Sequence, residues 1–347
     1  MDSKVLSDSK ARQLVIDVLV AYGATNSEAG IVADHLVDAD LSGVRSHGLM
    51  RVPQYVDEIR SGEIRPDVLP SMVRQGGNRV DLDGNRCFGQ VGCTWAVREG
   101  ESIARQQGLA LATVRNTGHV GRIGAYAESL GRAGMLSLIF CSGPRSGHRV
   151  APFNGREGRL ATNPIAFSIP TKSDPIVGDF STASSPEGRI RNLRDLGLEA
   201  PPETLLDASG QPTTDPNVLY QSVPGTIMPL GGFRLGHRGF ALGLLVEALA
   251  TLLPGDETND ESRIGNNVTF IIVSVDSSFT SRVESMTNYI LTSPRRGEDL
   301  VALPGMVEQQ HRAGAHMIEI NTSTWTAIKN RAEVRGISIE DILSSNL

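Results

Sequence analysis

Ser46, His47 and Arg51 fall within six residues of one another in the string DLSGVRSHGLMRVPQYV, which runs from Asp40 to Val56. Together they offer a proton donor, a neighbouring hydroxyl and a guanidinium that can fork two hydrogen bonds onto a carboxylate. Gly43 and Gly48 bracket the SHG triplet, an arrangement that lets the backbone turn tightly and leaves room for a ligand beside the imidazole. If helix resumes after Gly48, His47 and Arg51 stand four residues apart on one face and reach the same small anion.

Three further segments carry residues suited to binding. RNTGHVGRIGAYAESLG, from Arg115 to Gly131, follows a strand-like run and leads into a helix. His119 and the glycines at 118, 121 and 124 therefore occupy a strand-to-helix corner, where free backbone N–H groups face an anion. The spacing is GxxGxxG, and no acidic residue ends a second strand at the expected distance, so a Rossmann dinucleotide fingerprint is absent. RLATNPIAFSIPT at 159–171 and IVGDFSTASSPEGRI at 176–190 read as paired strands with a loop of small hydroxyl residues. In PLGGFRLGHRGFALGLLVEALATLL, at 229–253, His237 and Arg238 sit in a glycine-rich loop before an apolar helix. A cation at that end opposes the helix dipole, so a bound anion explains it better than stability does.

The elements that must position these groups differ in texture along the chain. Apolar spacing predicts helices over Ala11 to Ala21, closed by Gly23, from Asn26 to about Leu41 with Ser27 as its cap, and over Val52 to Arg60. From about Gly76 short β-like runs begin: ALATV before Arg115, MLSLIF before Cys141, and NPIAFSIP at 163–170. TWAVREGESIARQQG and GAYAESLGRAG read as amphipathic helices, while FALGLLVEALATLL is apolar enough to be buried on nearly all sides. LEAPPETLLDASGQPTTDPN reads as an irregular excursion and PGDETNDESRIGNN as an exposed acidic loop.

Bulk properties exclude several classes. The 347 residues suffice for one large or two ordinary domains, and 39% hydrophobic residues with 37 glycines suit a compact, loop-rich enzyme. No apolar run reads as membrane-spanning, and MDSKVLSDSK lacks the apolar core of a signal peptide, so a soluble cytoplasmic protein is expected. Cys87, Cys93 and Cys141 are odd in number and not spaced as CxxC, which argues against a disulfide framework. His47, His119 and Asp179 could converge on a metal, but no HxxxH or HxH spacing supports one, and no metal is expected. A net charge of −6 with 5% aromatic residues gives no basic stripe for nucleic acid.

Taken together, SHGLMRVPQY (46–55), RNTGHVG (115–121), TNPIAFSIP (162–170), DFSTAS (179–184), GQPTTDP (210–216), GHRGFALGLLVE (236–247) and ALPG (302–305) resemble the malate/L-lactate dehydrogenase type 2 family of NAD(P)-dependent oxidoreductases. Relatives there include L-sulfolactate, ureidoglycolate and 2,3-diketo-L-gulonate dehydrogenases and cyclic imino acid reductases. The resemblance implies a mixed α+β, non-Rossmann fold. A helical region over 1–75 would pack with 308–347, and a cofactor-binding domain over 76–307 would be built on a mainly antiparallel sheet. It also implies a homodimer whose active sites involve both subunits, acting on a small carboxylate substrate.

By the same resemblance His47 is the general acid/base with Ser46 beside it, Arg51 binds the substrate carboxylate, and His119 is a second catalytic histidine. Pro175, Ile176, Val177, Gly178, Asp179, Phe180 and Ser181, with His237, Arg238, Gly305, Met306 and Val307, match cofactor-contacting segments. The implied reaction moves a hydride between a nicotinamide cofactor and a small 2-hydroxy or 2-oxo acid, with an imidazole of pKa near ~6.5 exchanging the proton. Reduction of the C=N bond of a cyclic imino acid, or a binding protein without turnover, are the alternatives. Gly118, Ala161, Ala183, Glu187, Arg238, Met306 and Val307 depart from the family pattern. Glu187 favours NADH if it faces the adenosine ribose, whereas Arg189 and Arg191 nearby favour NADPH.

Overall fold

The computed structural model describes residues 4–339. Its helical N-terminal part forms because apolar residues recur on single faces. Helix α1 (Asp8–Ala21) buries Ala11, Leu14, Val15, Val18 and Leu19, and Ser7 caps it by accepting from the Lys10 amide. Helix α2 (Asn26–Leu41) lies against it, capped by Thr25 rather than Ser27, since Thr25 Oγ1 accepts from the Glu28 amide at 3.4 Å. Helix α3 (Val52–Ser61) has Pro53 in its first turn and ends at Gly62, which takes the left-handed φ of 77° that favours glycine. Strand β1 (Lys4–Ser7) pairs antiparallel with β12 (Met317–Ile320), which draws α10 (Thr322–Val334) onto the same bundle. Ile318, Ile320, Ile328 and Ala332 join α1–α3 in one apolar core. Residues 340–347, part of the expected C-terminal packing segment, lie outside the described residues.

A seven-stranded sheet follows in the order β2-β3-β4-β11-β5-β6-β7. Its strands are β2 (Ser71–Gly76), β3 (Arg79–Asp83), β4 (Leu109–Thr117), β5 (Met135–Ser142), β6 (Ile165–Ile169), β7 (Ile176–Phe180) and β11 (Asn266–Ser274). Every neighbouring pair is antiparallel except β3 and β4. Helices α4 (Gly89–Gln107) and α5 (Ile123–Arg132) cover one face, where Ile139, Ala166 and Phe270 point. Their neighbours Phe140, Ile165 and Ile271 point the other way, onto α7 (Gly232–Glu247) and the π-helical turn Ala248–Leu252 that continues it. Two-residue strands β8 (Leu205–Leu206), β9 (Pro212–Thr213) and β10 (Thr226–Ile227) give the proline-rich excursion a small sheet of its own. Further helices are α6 (Glu187–Asp195), α8 (Ser277–Leu291) and α9 (Met306–Gly314).

Three elements depart from expectation. β2 begins before Gly76 and is exposed at all six positions, an edge strand with no buried face to leave an alternating signature. β11, the strand between β4 and β5, follows the acidic loop directly and was not foreseen as an element. The apolar α7 is not enclosed: Phe233, Leu235, Leu244, Leu245 and Leu252 are 43–54% exposed. Its buried face is made of Gly236, Gly239, Gly243, Val246 and Glu247, so the small residues pack inward and the leucines face out. The continuous 21-residue helix Gly232–Leu252 also has the length and, over an 18-residue window, the mean hydropathy of 1.2 that a spanning segment needs, contrary to the expectation of none.

Candidate active site

After α2, Gly43 turns the chain at φ 78°, and two single-turn 3₁₀ segments, Arg45–His47 and Leu49–Arg51, feed into α3. Gly48 has an ordinary φ of −89°, so its freedom is not what the turn requires. Its missing side chain is: a Cβ there would fall 2.1–2.3 Å from the Asp40 carboxylate. Asp40 Oδ2 accepts from the Leu49 amide at 2.8 Å and so ties the end of α2 to the loop that carries His47. The glycine thus makes room for a carboxylate of the protein, not for a ligand. Burial pushes the Asp40 carboxyl up to about 7, against the pull of the Leu49 amide and Arg45.

His47 and His119 come together from segments far apart in sequence. Their rings stack at 5.6 Å with 23° between planes, and Ser46 Oγ lies 2.9 Å from His47 Nδ1. Two groups not singled out from sequence hold His119. Gln90 Nε2 donates to the Tyr55 hydroxyl at 2.7 Å, and that hydroxyl lies 2.9 Å from His119 Nδ1. With its oxygen accepting from Gln90, Tyr55 has its own proton to give to Nδ1, which leaves the proton of a neutral His119 on Nε2. Tyr55 was findable: 47, 51 and 55 follow one another at four-residue steps. Gln90 left no signal, because it arrives from α4, where it is fully buried. Burial first, and then Arg51, push His47 down to about 3 and His119 well below the ordinary histidine range. In the bare protein both imidazoles are neutral, which corrects the expectation of a pKa near ~6.5.

Arg51 is 7% exposed. Its Nε donates to the Ser46 carbonyl at 2.8 Å and Nη1 donates to Gln54 Oε1 at 2.7 Å. Among the described residues Nη2 has no acceptor, so one edge of the guanidinium stays open. Facing it is the first turn of α6, where a Cβ on Gly188 would lie 3.3 Å from Nη2. Glu187 does not stand free for a ribose: it binds Arg191 through both oxygens, at 2.9 and 3.0 Å, and accepts from the Tyr220 hydroxyl at 2.7 Å.

The glycine corner at 118–124 is occupied from within. Asp179 Oδ2 accepts from the Gly124 amide at 2.7 Å, so the start of α5 is capped by a β7 carboxylate and is not an open anion site. This same contact brings the end of β7 to His47. Ser46, His47, Thr162, Pro164, Asp179, Phe180, Ser181, Pro186 and Glu308 are among the walls of one cavity of about 160 Å³. Pro175, Ile176, Val177 and Gly178 are buried behind it, with Gly178 giving its space to the Phe167 ring. The Pro304 carbonyl accepts from the Val177 amide at 3.2 Å, and a Cβ on Gly305 would lie 3.0 Å from the Val177 carbonyl, so 305–307 runs beside β7. Met306 turns its sulfur to the Leu303 amide and Val307 is 55% exposed.

These walls suit the nicotinamide end of a dinucleotide rather than its phosphates, with the Asp179 and Glu308 carboxyls among them. Phe180 offers an exposed ring and Thr162 and Ser181 offer hydroxyls, while the one guanidinium there, Arg122, is paired with Asp38. No wall residue is a free cation for a phosphate. His237 and Arg238, expected in a loop, lie inside α7 and outside this cavity, exposed on the same stripe as Leu244 and Leu245. Among the described residues no cluster of His, Cys, Asp and Glu has the makings of a metal site.

Residues 6–329 match the malate/L-lactate dehydrogenase family. An L-lactate dehydrogenase of Cupriavidus necator is 32% identical, over 96% of this chain and 99% of that protein. Among solved structures, an Escherichia coli protein of malate/lactate dehydrogenase type superposes with a TM-score of 0.91 at 30% identity, covering 99% of this chain and 100% of the other. A Δ1-piperideine-2-carboxylate reductase from Pseudomonas syringae pv. tomato superposes with a TM-score of 0.83 at 25% identity, covering 95% and 100%.

Proposed function

This chain belongs to the malate/L-lactate dehydrogenase family of nicotinamide-dependent dehydrogenases, and from that premise we propose that it interconverts a small 2-oxo acid and its 2-hydroxy acid. One observation carries the reading: a stacked pair of neutral imidazoles beside a buried guanidinium with one open edge, of which His47 and its neighbour Ser46 line the cavity at the end of β7. Arg51 takes the substrate carboxylate on Nη2 and its remaining Nη1 hydrogen, which fixes the face that the carbonyl presents. A bound nicotinamide dinucleotide supplies the hydride, held by Asp179, Phe180, Ser181 and the 305–307 segment.

His47, with Ser46 on Nδ1, exchanges the proton of the substrate oxygen. Being neutral, it is ready as the base for alcohol oxidation. In the reductive direction it must first be charged. A carboxylate seated on Arg51 cancels part of the positive field that depresses His47, so the substrate itself lifts the imidazole toward a donor. His119, with its proton on Nε2, donates a hydrogen bond to the same oxygen.

His237 and Arg238 take part from a second copy of the chain. Their support is the α7 stripe, whose leucines a partner helix would cover while carrying the two side chains to the phosphates of the neighbouring site. The functional unit is then a soluble, cytoplasmic homodimer. NADH and NADPH both remain as cofactors, because Glu187 is tied to Arg191 and Tyr220 and gives NADH no advantage.

A second reading is supported by the low His47 pKa and the likeness to the piperideine-carboxylate reductase. An iminium ion arrives already protonated on nitrogen and asks no acid of the protein. Loss of nicotinamide absorbance with a panel of pyruvate, oxaloacetate, bulkier 2-oxo acids and cyclic imines, each with NADH and NADPH, tests both. Turnover of 2-oxo acids supports the first reading, turnover of imines alone supports the second, and none with either overturns both.

A further inference from the structure

The first turn of α6 is the wall nearest the open edge of Arg51, since a Cβ on Gly188 would lie 3.3 Å from both Arg51 Nη2 and Ser46 Cβ. Arg191, three residues on, shares that helix face. It is not free. Its Nη2 reaches both oxygens of Glu187, its Nε lies 3.3 Å from Oε1, and the Tyr220 hydroxyl closes on the same oxygen at 2.7 Å. Arg194 sits 4.1 Å over the Tyr220 ring and steadies the phenol. Arg189, two residues from Glu187, points elsewhere, into a groove of about 580 Å³ with Asp40, Arg45 and Glu319. The wall therefore holds two guanidiniums and one carboxylate. Arg191 spends Nε and Nη2 on Glu187, which matches its charge, whereas no carboxylate pairs with Arg51 among the described residues.

We infer that Glu187 sets the charge class of the substrate: by closing Arg191 it restricts the site to acids with a single anionic group and disfavours those with a second carboxylate or a sulfonate. This rests on the reading of Arg51 as the carboxylate ligand. A second anion at the far end of the substrate would meet the Glu187 carboxylate where it needs a cation, and like charges at short range in a half-buried site are unfavourable. Arg191 also acts as a neighbouring charge on both Arg51 and His119, as its place on the α6 face requires.

The test compares kcat/KM for pyruvate, 2-oxobutyrate and oxaloacetate in the wild type, Glu187→Gln and Tyr220→Phe. Glutamine keeps the shape and an acceptor for Tyr220 while releasing the charge of Arg191. The wild type is expected to favour the two monoanions over oxaloacetate by at least about tenfold. Glu187→Gln is expected to move that ratio about tenfold toward oxaloacetate, and Tyr220→Phe to move it in the same direction by less. A variant that only damages the fold lowers all three values and leaves the ratio alone. Calorimetry with oxamate (one charge) and tartronate (two charges) repeats the comparison without turnover. Oxamate binding tighter in the wild type, with tartronate gaining in Glu187→Gln, upholds the inference even if no 2-oxo acid is reduced, which would sink the activity alone. Wild-type preference for oxaloacetate or tartronate, a ratio unmoved by Glu187→Gln, or binding of neither analogue overturns it.

Discussion

The corner around His47 and the exposed stripe of α7 both pair a histidine with an arginine, and they are built in opposite ways. At the corner, Gln90, Tyr55, His119, Ser46 and Arg51 are fixed by hydrogen bonds within one chain, and Asp40 ties the loop from behind. On α7 and the turn that continues it, small residues face inward, while His237, Arg238, Leu244, Leu245 and Leu252 face out and stay exposed, the leucines by about half, with Phe153 edge-on to His237. Groups that must hold a proton in place are finished by folding, whereas groups placed on an uncovered apolar face await association.

The sharpest way to break this contrast is at His47. His47→Asn is expected to lower turnover by roughly 10² to 10⁴ fold while leaving cofactor binding nearly unchanged, as rapid kinetics and a fluorescence titration of cofactor will show. Near-normal turnover in a folded variant would remove it from the chemistry.

At α7 the expected loss is of assembly. Leu244→Asp combined with Leu245→Asp replaces two leucines worth about 1.5–3 kcal/mol each on burial, so dimer dissociation should rise by at least about 100-fold in sedimentation. Far-UV circular dichroism should stay unchanged and activity should fall with the dimer. A double variant that remains dimeric would place the interface elsewhere.

Protonation of His35 should weaken the corner's side of the molecule. Burial, then Arg122, lowers His35 to about 4, and its Nε2 accepts from the Arg122 amide at 2.9 Å. Between that value and the unfolded value near ~6.5 the unfolded chain binds more protons, so stability rises with pH across this window and is lost as pH falls through it. His35 alone accounts for about 3 kcal/mol between pH 7 and pH values below 4. Asp40, raised to about 7, titrates with the opposite sign in the same window, so urea unfolding of the wild type is compared with His35→Gln, and a flat difference between the two profiles would contradict the buried neutral histidine.

The smallest expected effect is at the fork. Arg51→Lys keeps the charge and loses planar pairing, so KM for the acid should rise about tenfold with cofactor affinity unchanged. A variant that binds cofactor poorly and substrate normally would assign Arg51 to the other ligand.

Much of this was legible before any coordinates. The helices α1 to α3, the strands around ALATV and MLSLIF, and the SHG and RNTGHVG segments follow from periodicity and residue type. What escaped were elements whose signal lies in their neighbours: β2, exposed throughout, and β11, apolar but masked by an adjacent acidic loop. Gly48 and the glycines at 118–124 were misjudged for one reason. A glycine reports that something comes close, and only packing tells whether that is a ligand or, as here, the protein itself: Asp40 at Gly48, Ile64 at Gly118, His35 at Gly121 and Asp179 at Gly124.

By itself the chain determined its family, its mixed α+β architecture and the short list of groups able to move a proton or grip a carboxylate, because these depend on residue type and spacing along one strand of sequence. Tertiary structure decided the rest: which histidine stacks on which, the tautomer passed from Gln90 through Tyr55, the depressed His47 pKa, the closing of Arg191 by Glu187, and the outward turn of the α7 leucines. Apart from the Glu187–Arg191 pair, four residues apart on one helix, these are matters of distance and desolvation between segments tens of residues apart, quantities that exist only once the chain has folded.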